Sequence, residues 1–426
     1  MSSFFEDLQW RGLVHQVTDP EHFAEWIAKP RVVYAGFDPT SDSLHAGSLL
    51  PLMLLRRFQR AGHQPIAVVG GATGMIGDPS GKSAERNLLD VETLQRNVDG
   101  MARQMKQFLD FDQPQRPALL LNNFDWIRGF SYLEFLRDVG KNFPVNVMLA
   151  KDSVKSRLGR DDVGISYTEF SYMLLQAYDF VYLHQRHGCE LQVGGSDQWG
   201  NITAGVDLGR RMHGAQLQGM TCPLLTKTDG SKMGKTESGA VWLSPEKTSP
   251  YAFYQYWKNV ADDDVEPCLK VLTELPRAEI EALAAERAAA PHERTSQTRL
   301  AQELTRMVHG AEGLALAEKA TAFFFGGEIS GATDRQLQEI FHDVPSSAVE
   351  RSVLAAGGLS VIDALCAAQL AKSKSDARRT IEQGGAYVNN RRIDDVDARL
   401  SPADLASESF VVLRSGRKRY ALLRIA

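Results

Sequence analysis

Val32-Val33-Tyr34-Ala35-Gly36-Phe37-Asp38-Pro39-Thr40-Ser41-Asp42-Ser43-Leu44-His45-Ala46-Gly47-Ser48 decides how this chain is read. A β-branched and apolar run feeds a loop of Gly, Pro, Asp and Ser. That loop delivers a His and a Gly to the start of an apolar-periodic helix. Strand, loop and helix in this order build a nucleotide site in an open parallel sheet. Glycine lets a ligand approach the backbone, and a helix N-terminus offers free N–H groups to phosphate.

Working outward, short apolar runs alternate with amphipathic segments from Arg31 to about Leu225. The runs are Val32–Ala35, Ile66–Val69, Ala118–Leu121, Leu191–Val193 and Pro223–Leu225. The helical patterns include Leu49–Ala61, Val91–Leu109 and Gln198–Met212. This alternation predicts an α/β fold with a Rossmann-like, doubly wound parallel sheet. Residues 1–30 read as helical and irregular. Beyond Ser249, Ala-, Glu-, Leu- and Arg-rich patterns such as Ile280–Ala290 and Thr295–His309 predict an α-helical domain. The expected organisation is a catalytic domain over 1–225, a mobile loop over 226–248 and a helical domain over 249–325. A linker over 326–356 and a small α+β domain over 357–426 complete it.

The chain has 426 residues and a net charge of −5, so bulk charge does not advertise a nucleic-acid partner. The tail differs: Gly357–Ala426 holds twelve basic against eight acidic residues. A net positive terminal segment suggests a nucleic-acid-binding module. Four scattered cysteines (Cys189, Cys222, Cys268, Cys366) exclude a zinc ribbon or redox pair and suit a reducing compartment. The acidic residues near the N-terminus are unlike a signal peptide, and no apolar stretch is long enough to span a bilayer, so a soluble cytoplasmic protein with no membrane partner is expected.

Four further motifs carry chemistry. Gly70-Gly71-Ala72-Thr73-Gly74-Met75-Ile76-Gly77-Asp78-Pro79-Ser80-Gly81-Lys82-Ser83 follows the second strand. Its glycine spacing fits neither a dinucleotide fingerprint nor a P-loop, and it reads as a substrate loop with Lys82 and Arg86 supplying charge to phosphates. Tyr172, Gln176 and Asp179 stand at i, i+4 and i+7 of a helical pattern, so they share one face and need partners there. Leu191-Gln192-Val193-Gly194-Gly195-Ser196-Asp197-Gln198-Trp199 is a strand end, a turn and a helix start, with Ser196 or Asp197 able to cap the helix. Lys232-Met233-Gly234-Lys235-Thr236 places two lysines around a Gly in a mobile loop, as a polyphosphate clamp requires. In the tail, Ser375 can cap a helix presenting Arg378 and Arg379, which Gly384-Gly385 ends; Asn389-Asn390 and Ser415-Gly416 mark turns.

His45-Ala46-Gly47-Ser48 resembles the His-Ile-Gly-His signature of class I aminoacyl-tRNA synthetases, and Lys232–Thr236 resembles their Lys-Met-Ser-Lys-Ser signature. The Tyr-x-Gly-Phe-Asp-Pro-Thr run and the Leu-Gln-Val-Gly-Gly-Ser-Asp-Gln-Trp string narrow the resemblance to the bacterial tyrosyl branch, over nearly the whole chain. The tail resembles the RNA-binding module named after ribosomal protein S-four, which reads RNA by backbone charge and shape.

The resemblance implies a ligase that activates L-tyrosine with ATP and Mg²⁺, then esterifies the 3′-terminal adenosine of tRNA(Tyr). It implies no tightly bound cofactor and no resident metal. By this resemblance Tyr34 and Asp179 grip the phenolic hydroxyl. Asp78, Tyr172 and Gln176 hold the ammonium, and Gln192 and Gln198 position the amino acid. ATP falls to Gly36, Asp38, Gly47, Ser48, Gly195, Asp197, Lys235 and Thr236. Catalysis falls to Thr40, His45, Lys82, Arg86, Lys232 and Lys235. Arg210, Arg211, Lys374, Arg378 and Arg379 are the candidates for tRNA contact. Asp138–Asn146 resembles the family's dimer interface and implies a homodimer. Ser48 replaces a signature His, and Ala35 stands where some relatives carry Cys; both bear on ATP affinity. A tryptophanyl enzyme on the same fold, and a non-catalytic RNA-binding or splicing factor on a synthetase scaffold, are the alternatives.

Overall fold

The computed structural model describes residues 3–80, 89–151, 154–155, 164–236, 239–324, 326–327, 329, 332–341, 344–355, 357–416 and 419–426. The chain forms two compact units. One comprises Met1–Ser244 with Lys258–Val308, and the other Pro245–Trp257 with His309–Ala426.

The first unit is built on strands β1 (Gln16–Val17), β2 (Val32–Phe37), β3 (Gln64–Val69), β4 (Leu119–Asn122), β5 (Cys189–Gly195) and β6 (Gln218–Cys222). They lie in the order β1-β6-β5-β2-β3-β4. β2 to β6 run parallel, and β1 closes the edge antiparallel to β6. Val33, Ile66, Val68, Leu191 and Val193 are buried along the central strands, as expected of a sheet covered on both faces. Helix α1 (Leu49–Arg60) follows β2, α2 (Val91–Met105) follows β3, and α3 (Tyr167–His187) precedes β5. Helix α4 (Trp199–His213) joins β5 to β6. Ser166 caps α3 by accepting from the Glu169 N–H at 3.2 Å. The predicted doubly wound sheet is therefore present.

Two local expectations fail. The last strand is Gln218–Cys222, not Pro223–Leu225. Pro223 has no N–H for a ladder, whereas Gly219, a weak strand former in isolation, and the β-branched Thr221 are buried in the centre of a paired strand. Gln16–Val17, inside the supposedly irregular start, pairs with Met220 and Thr221 because β6 otherwise ends the sheet unpaired.

Helices α5 (Asp262–Leu272) and α6 (Arg277–Ala289) follow in the first unit, and α7 spans Thr295–Phe324. At Gly310, φ is 73° and ψ −179°, a conformation that interrupts α7 and that favours glycine. The unit boundary at Val308 and His309 falls beside this break. The division thus cuts through the 249–325 stretch that composition treats as one helical domain.

The second unit contains strands β7 (Ser346–Val349), β8 (Leu359–Ser360), β9 (Ala386–Val388), β10 (Arg391–Arg392), β11 (Arg399–Leu400), β12 (Phe410–Ser415) and β13 (Arg419–Ile425). Five of them form a sheet in the order β10-β9-β12-β13-β7. Helices α8 (Val361–Ala367) and α9 (Lys374–Glu382) pack on the buried cluster that includes Val411, Leu413 and Leu423. The described residues of 326–356, a stretch expected as linker, include parts of this fold. Ile329, Ala332, Leu337, Ile340 and Phe341 join a second core with Phe410 and Tyr420, and β7 pairs with β13. Polar composition hid five buried side chains spaced among Gly, Asp and Ser. The cap of α9 is Ser373, which accepts from Asp376 N–H at 3.2 Å, rather than Ser375. The Asn389-Asn390 turn is present, with φ of 47° and 64°, between β9 and β10.

Candidate active site

A cavity of about 650 Å³ opens at the carboxyl ends of β2, β3 and β5, where parallel sheets bind ligands. Its inner end is set by sheet register. Tyr34 on β2 pairs with Gln192 on β5, and Val69 on β3 pairs with Asn122 on β4, which puts Asn123 just past the strand end. Tyr172, Gln176 and Asp179 project into the cavity from one face of α3.

Asp179 is buried, and both its oxygens are held. Trp126 Nε1–H donates at 2.8 Å and Asn123 Nδ2–H at 3.0 Å. Burial nevertheless pushes its carboxyl up to about 7, because these two donors only partly replace water. The Tyr34 hydroxyl is fully buried, has no hydrogen-bond partner among the described residues, and is held protonated by burial and by the Asp179 charge. Gln176 Oε1 and Gln192 Oε1 are likewise buried without partners. Three orphaned polar atoms lining one cavity are what a polar ligand leaves behind.

The middle of the cavity is a carboxylate–amide cluster. Gln198 Nε2–H donates to Asp78 at 2.7 Å, and Gln176 Nε2–H donates to Gln198 Oε1 at 3.3 Å. The Ser80 N–H donates to Asp78 at 2.9 Å. Asp197 stands beside the cluster, its carboxyl raised by burial and by the Asp78 charge. Asp38 accepts from the Tyr172 hydroxyl and the Thr73 hydroxyl, each at 2.9 Å.

At the outer end, residues 241–243 lie along the His45 loop. Ala46 N–H donates to Val241 C=O at 2.8 Å, Leu243 N–H donates to Leu44 C=O at 2.9 Å, and His45 bridges Trp242. Burial first, then the nearby Lys235 charge, lowers the His45 pKa, so the imidazole is neutral at pH 7. Gly234 has φ of 85°, and a Cβ there would sit 2.9 Å from Ala46 Cβ. That explains Gly where the general signature has Ser: the loop backbone packs directly on Ala46-Gly47. Lys232 and Lys235 line the cavity, as do Thr40, Gly36, Gly47 and Gly195.

The structure therefore gathers most of the expected site residues in one cavity. Ser48 and Thr236 are not among its lining, and Lys82 and Arg86 lie outside the described residues. Arg210 and Arg211 sit in the last turn of α4, both paired to Asp207 at 2.7 Å. Lys374, Arg378 and Arg379 belong to the second unit, where they line a cleft of about 560 Å³ with Asp363 and Glu382. Lys374 pairs with Asp363 and Arg379 with Asp376, each at 2.8 Å. Sequence reasoning missed Trp126, Asn123 and Thr73. The only local signal for them was a polar pair after the fourth strand and a Thr inside the Gly-rich loop. Among the described residues no three His, Cys, Asp or Glu side chains are grouped to hold a metal, and no helix is long and apolar enough to cross a membrane.

A parallel sheet with a nucleotide-type cavity, a His-x-Gly loop and a twin-lysine loop defines a class of adenylating enzyme. The class I tRNA synthetase (W and Y) family model matches residues 28–326, and the chain belongs to that family. A second model, the tyrosine–tRNA ligase SYY-like C-terminal domain, matches residues 336–423. Within the family the chain groups with the tyrosine–tRNA ligases. It is 61% identical to that of Rhodopirellula baltica over 100% of this chain and 97% of the relative. It is 53% identical to that of Roseiflexus castenholzii over 100% of both. Among solved structures, a C-terminally truncated mitochondrial tyrosyl-tRNA synthetase of Aspergillus nidulans matches with a TM-score of 0.68 and 32% identity, covering 75% of this chain and 94% of that one. A tryptophanyl-tRNA synthetase of Encephalitozoon cuniculi shares the fold at a TM-score of 0.53 and 14% identity, covering 72% of this chain and 87% of that one.

Proposed function

We propose that the inner end of the cavity takes the tyrosine side chain, and that the two lysines and His45 take the ATP phosphates. The observation that carries this reading is the pair Tyr34 and Asp179: a buried hydroxyl without a partner beside a buried carboxylate. A phenol satisfies both, donating to Asp179 and accepting from Tyr34. Phenylalanine satisfies neither, so the pocket rejects it without an editing domain. Asp78, Tyr172 and Gln176 supply the acceptors that an ammonium group needs. Gln192 and Gln198 flank the amino acid.

In the first step a tyrosine carboxylate oxygen attacks the α-phosphorus of ATP, and pyrophosphate leaves. The carboxylate is already ionised at neutral pH and needs no general base. Catalysis is then in-line positioning plus charge stabilisation on the phosphates. Lys232 and Lys235 supply charge, neutral His45 and Thr40 donate hydrogen bonds, and Lys82 and Arg86 complete the set. Mg²⁺ enters with ATP. Gly36, Asp38, Gly47, Ser48, Gly195, Asp197 and Thr236 contact or shape the nucleotide side. In the second step a hydroxyl of the terminal adenosine attacks the acyl carbon and AMP leaves. Helices α5 to α7 receive the anticodon arm. Arg210 and Arg211 meet the acceptor stem, and the second unit holds tRNA through Lys374, Arg378 and Arg379.

A homodimer is part of this proposal. Tyr132, Leu133, Val145 and Tyr167 are 64%, 75%, 59% and 61% exposed around the Asp138–Asn146 segment, an apolar surface that a second copy would cover. A monomeric mass at micromolar concentration would remove it.

Tyrosine-dependent ATP–pyrophosphate exchange, run beside phenylalanine and tryptophan, tests the site. Exchange with tyrosine alone, falling at least about a hundredfold in Asp179→Ala, is expected because three buried donors lose their acceptor. Equal exchange with phenylalanine would overturn the assignment.

A further inference from the structure

Thr73 joins the inner end of the cavity, at Asn123 and Asp179, to Asp38 and Tyr172 in its middle. The Ala72 N–H can only donate, and it does so to Asn123 Oδ1 at 2.7 Å. This fixes the Asn123 amide with its nitrogen on the other side, where Nδ2 donates to Asp179 at 3.0 Å and to Thr73 Oγ1 at 3.0 Å. With its oxygen accepting there, the Thr73 hydroxyl has one proton to place, and it goes to Asp38 Oδ1 at 2.9 Å. The other Asp38 oxygen accepts from the Tyr172 hydroxyl at 2.9 Å. Every donor and acceptor in this chain has one direction only. Thr73 is 3% exposed and Asn123 1%, so water cannot substitute for either. A Cβ at Gly70 would overlap both Thr73 Oγ1 and Asp38 Oδ1, which shows how closely the backbone seals this point.

We propose that Thr73 is a positioning residue for amino-acid selection: its hydroxyl orients the Asn123 amide, and through it the Asp179 carboxylate that faces the phenol. The inference deepens the reading of the cavity as a tyrosine site and rests on it. Thr73 touches no reacting atom. Its removal leaves one Asn123 N–H without an acceptor and lets the amide turn away from Asp179.

The test compares Thr73→Val, which keeps the shape, with Thr73→Ser, which keeps the hydroxyl. Exchange kinetics are measured for tyrosine and phenylalanine in each. The tyrosine-to-phenylalanine ratio of kcat/KM is expected to fall roughly tenfold or more in Thr73→Val, mostly through the tyrosine KM, the factor for a buried donor left unpaired. It is expected to return to within about threefold of the parent in Thr73→Ser. A general packing defect would lower both amino acids alike and leave the ratio unmoved, which would overturn the proposal. Loss of the ratio in both variants would also overturn it, since the hydroxyl would not be the cause. If the parent protein itself fails to prefer tyrosine, the reading of the cavity falls, a result distinct from either.

Discussion

The two ends of the cavity are built on opposite principles. At the inner end Tyr34, Asp179, Asn123 and Thr73 are all less than a tenth exposed and arise from a strand, a long helix, a strand end and a short helical turn in the Gly-rich loop. Asp179, Asn123 and Thr73 are each locked by hydrogen bonds, and the Tyr34 hydroxyl has no partner among the described residues. At the outer end Lys235 and Thr236 are exposed, on a two-residue strand pair with Gly239–Ala240. In the proposed function the inner end recognises one shape, which demands a rigid frame. The outer end would admit a polyphosphate, act on it and release pyrophosphate, which favours long cations on a loop.

The sharpest way to break this contrast is to remove charge from the outer end. Lys232→Ala and Lys235→Ala should each lower the exchange kcat by roughly 10²–10³, the range for deleting a group that stabilises transition-state charge, while the tyrosine KM moves less than about threefold. A tyrosine KM that rises in step with the loss of kcat would mean that the two ends are not separate.

A smaller effect comes from pH at the inner end. The Asp179 carboxyl sits near 7, raised by burial above its ordinary 3.8. The stability it contributes is fully present below the unfolded value and is lost as pH rises through about 7. The tyrosine-free protein should therefore lose thermal stability between pH 5 and pH 8, and saturating tyrosine should offset part of that loss by supplying the missing phenol. Over the same range kcat/KM for tyrosine should rise as the carboxylate ionises, with that for phenylalanine flat. Calorimetric scans with and without tyrosine, together with exchange at each pH, check both; parallel profiles for the two amino acids would detach Asp179 from selection.

The smallest change expected is at position 48. Ser48 directly precedes α1 and does not line the cavity, so Ser48→His should shift the ATP KM by only about two- to fivefold, the scale of one hydrogen bond. An unchanged ATP KM would take position 48 out of nucleotide contact altogether.

Much of the site was legible because its motifs are local. His45-Ala46-Gly47, Asp78, the Asp197-Gln198 turn and Lys232–Lys235 each lie at a strand end or in a loop whose composition announces it. The i, i+4, i+7 spacing of Tyr172, Gln176 and Asp179 placed three groups on one face, and α3 delivers all three to the cavity. The failures have a common cause. Pro223–Leu225 reads as a short apolar run, yet pairing with β5 on one side and β1 on the other makes Gln218–Cys222 the strand. Residues 326–356 read as linker because their apolar side chains are thinly spaced, and the core that the described ones join is completed by Phe410, Val412, Tyr420 and Leu422, far along the chain, together with Ala320 and Phe323 of α7.

The sequence by itself determined the fold class, the order of the motifs and the chemistry of each, because hydrophobic period, glycine placement and charge are properties of neighbouring residues. Only the tertiary structure decided who holds Asp179. Trp126 and Asn123 reach it from 53 and 56 residues away, and Thr73 reaches Asp38 across 35. Those contacts depend on the register of β2, β3 and β4 and on the burial that makes each hydrogen bond indispensable, and neither is written in any local stretch of the chain.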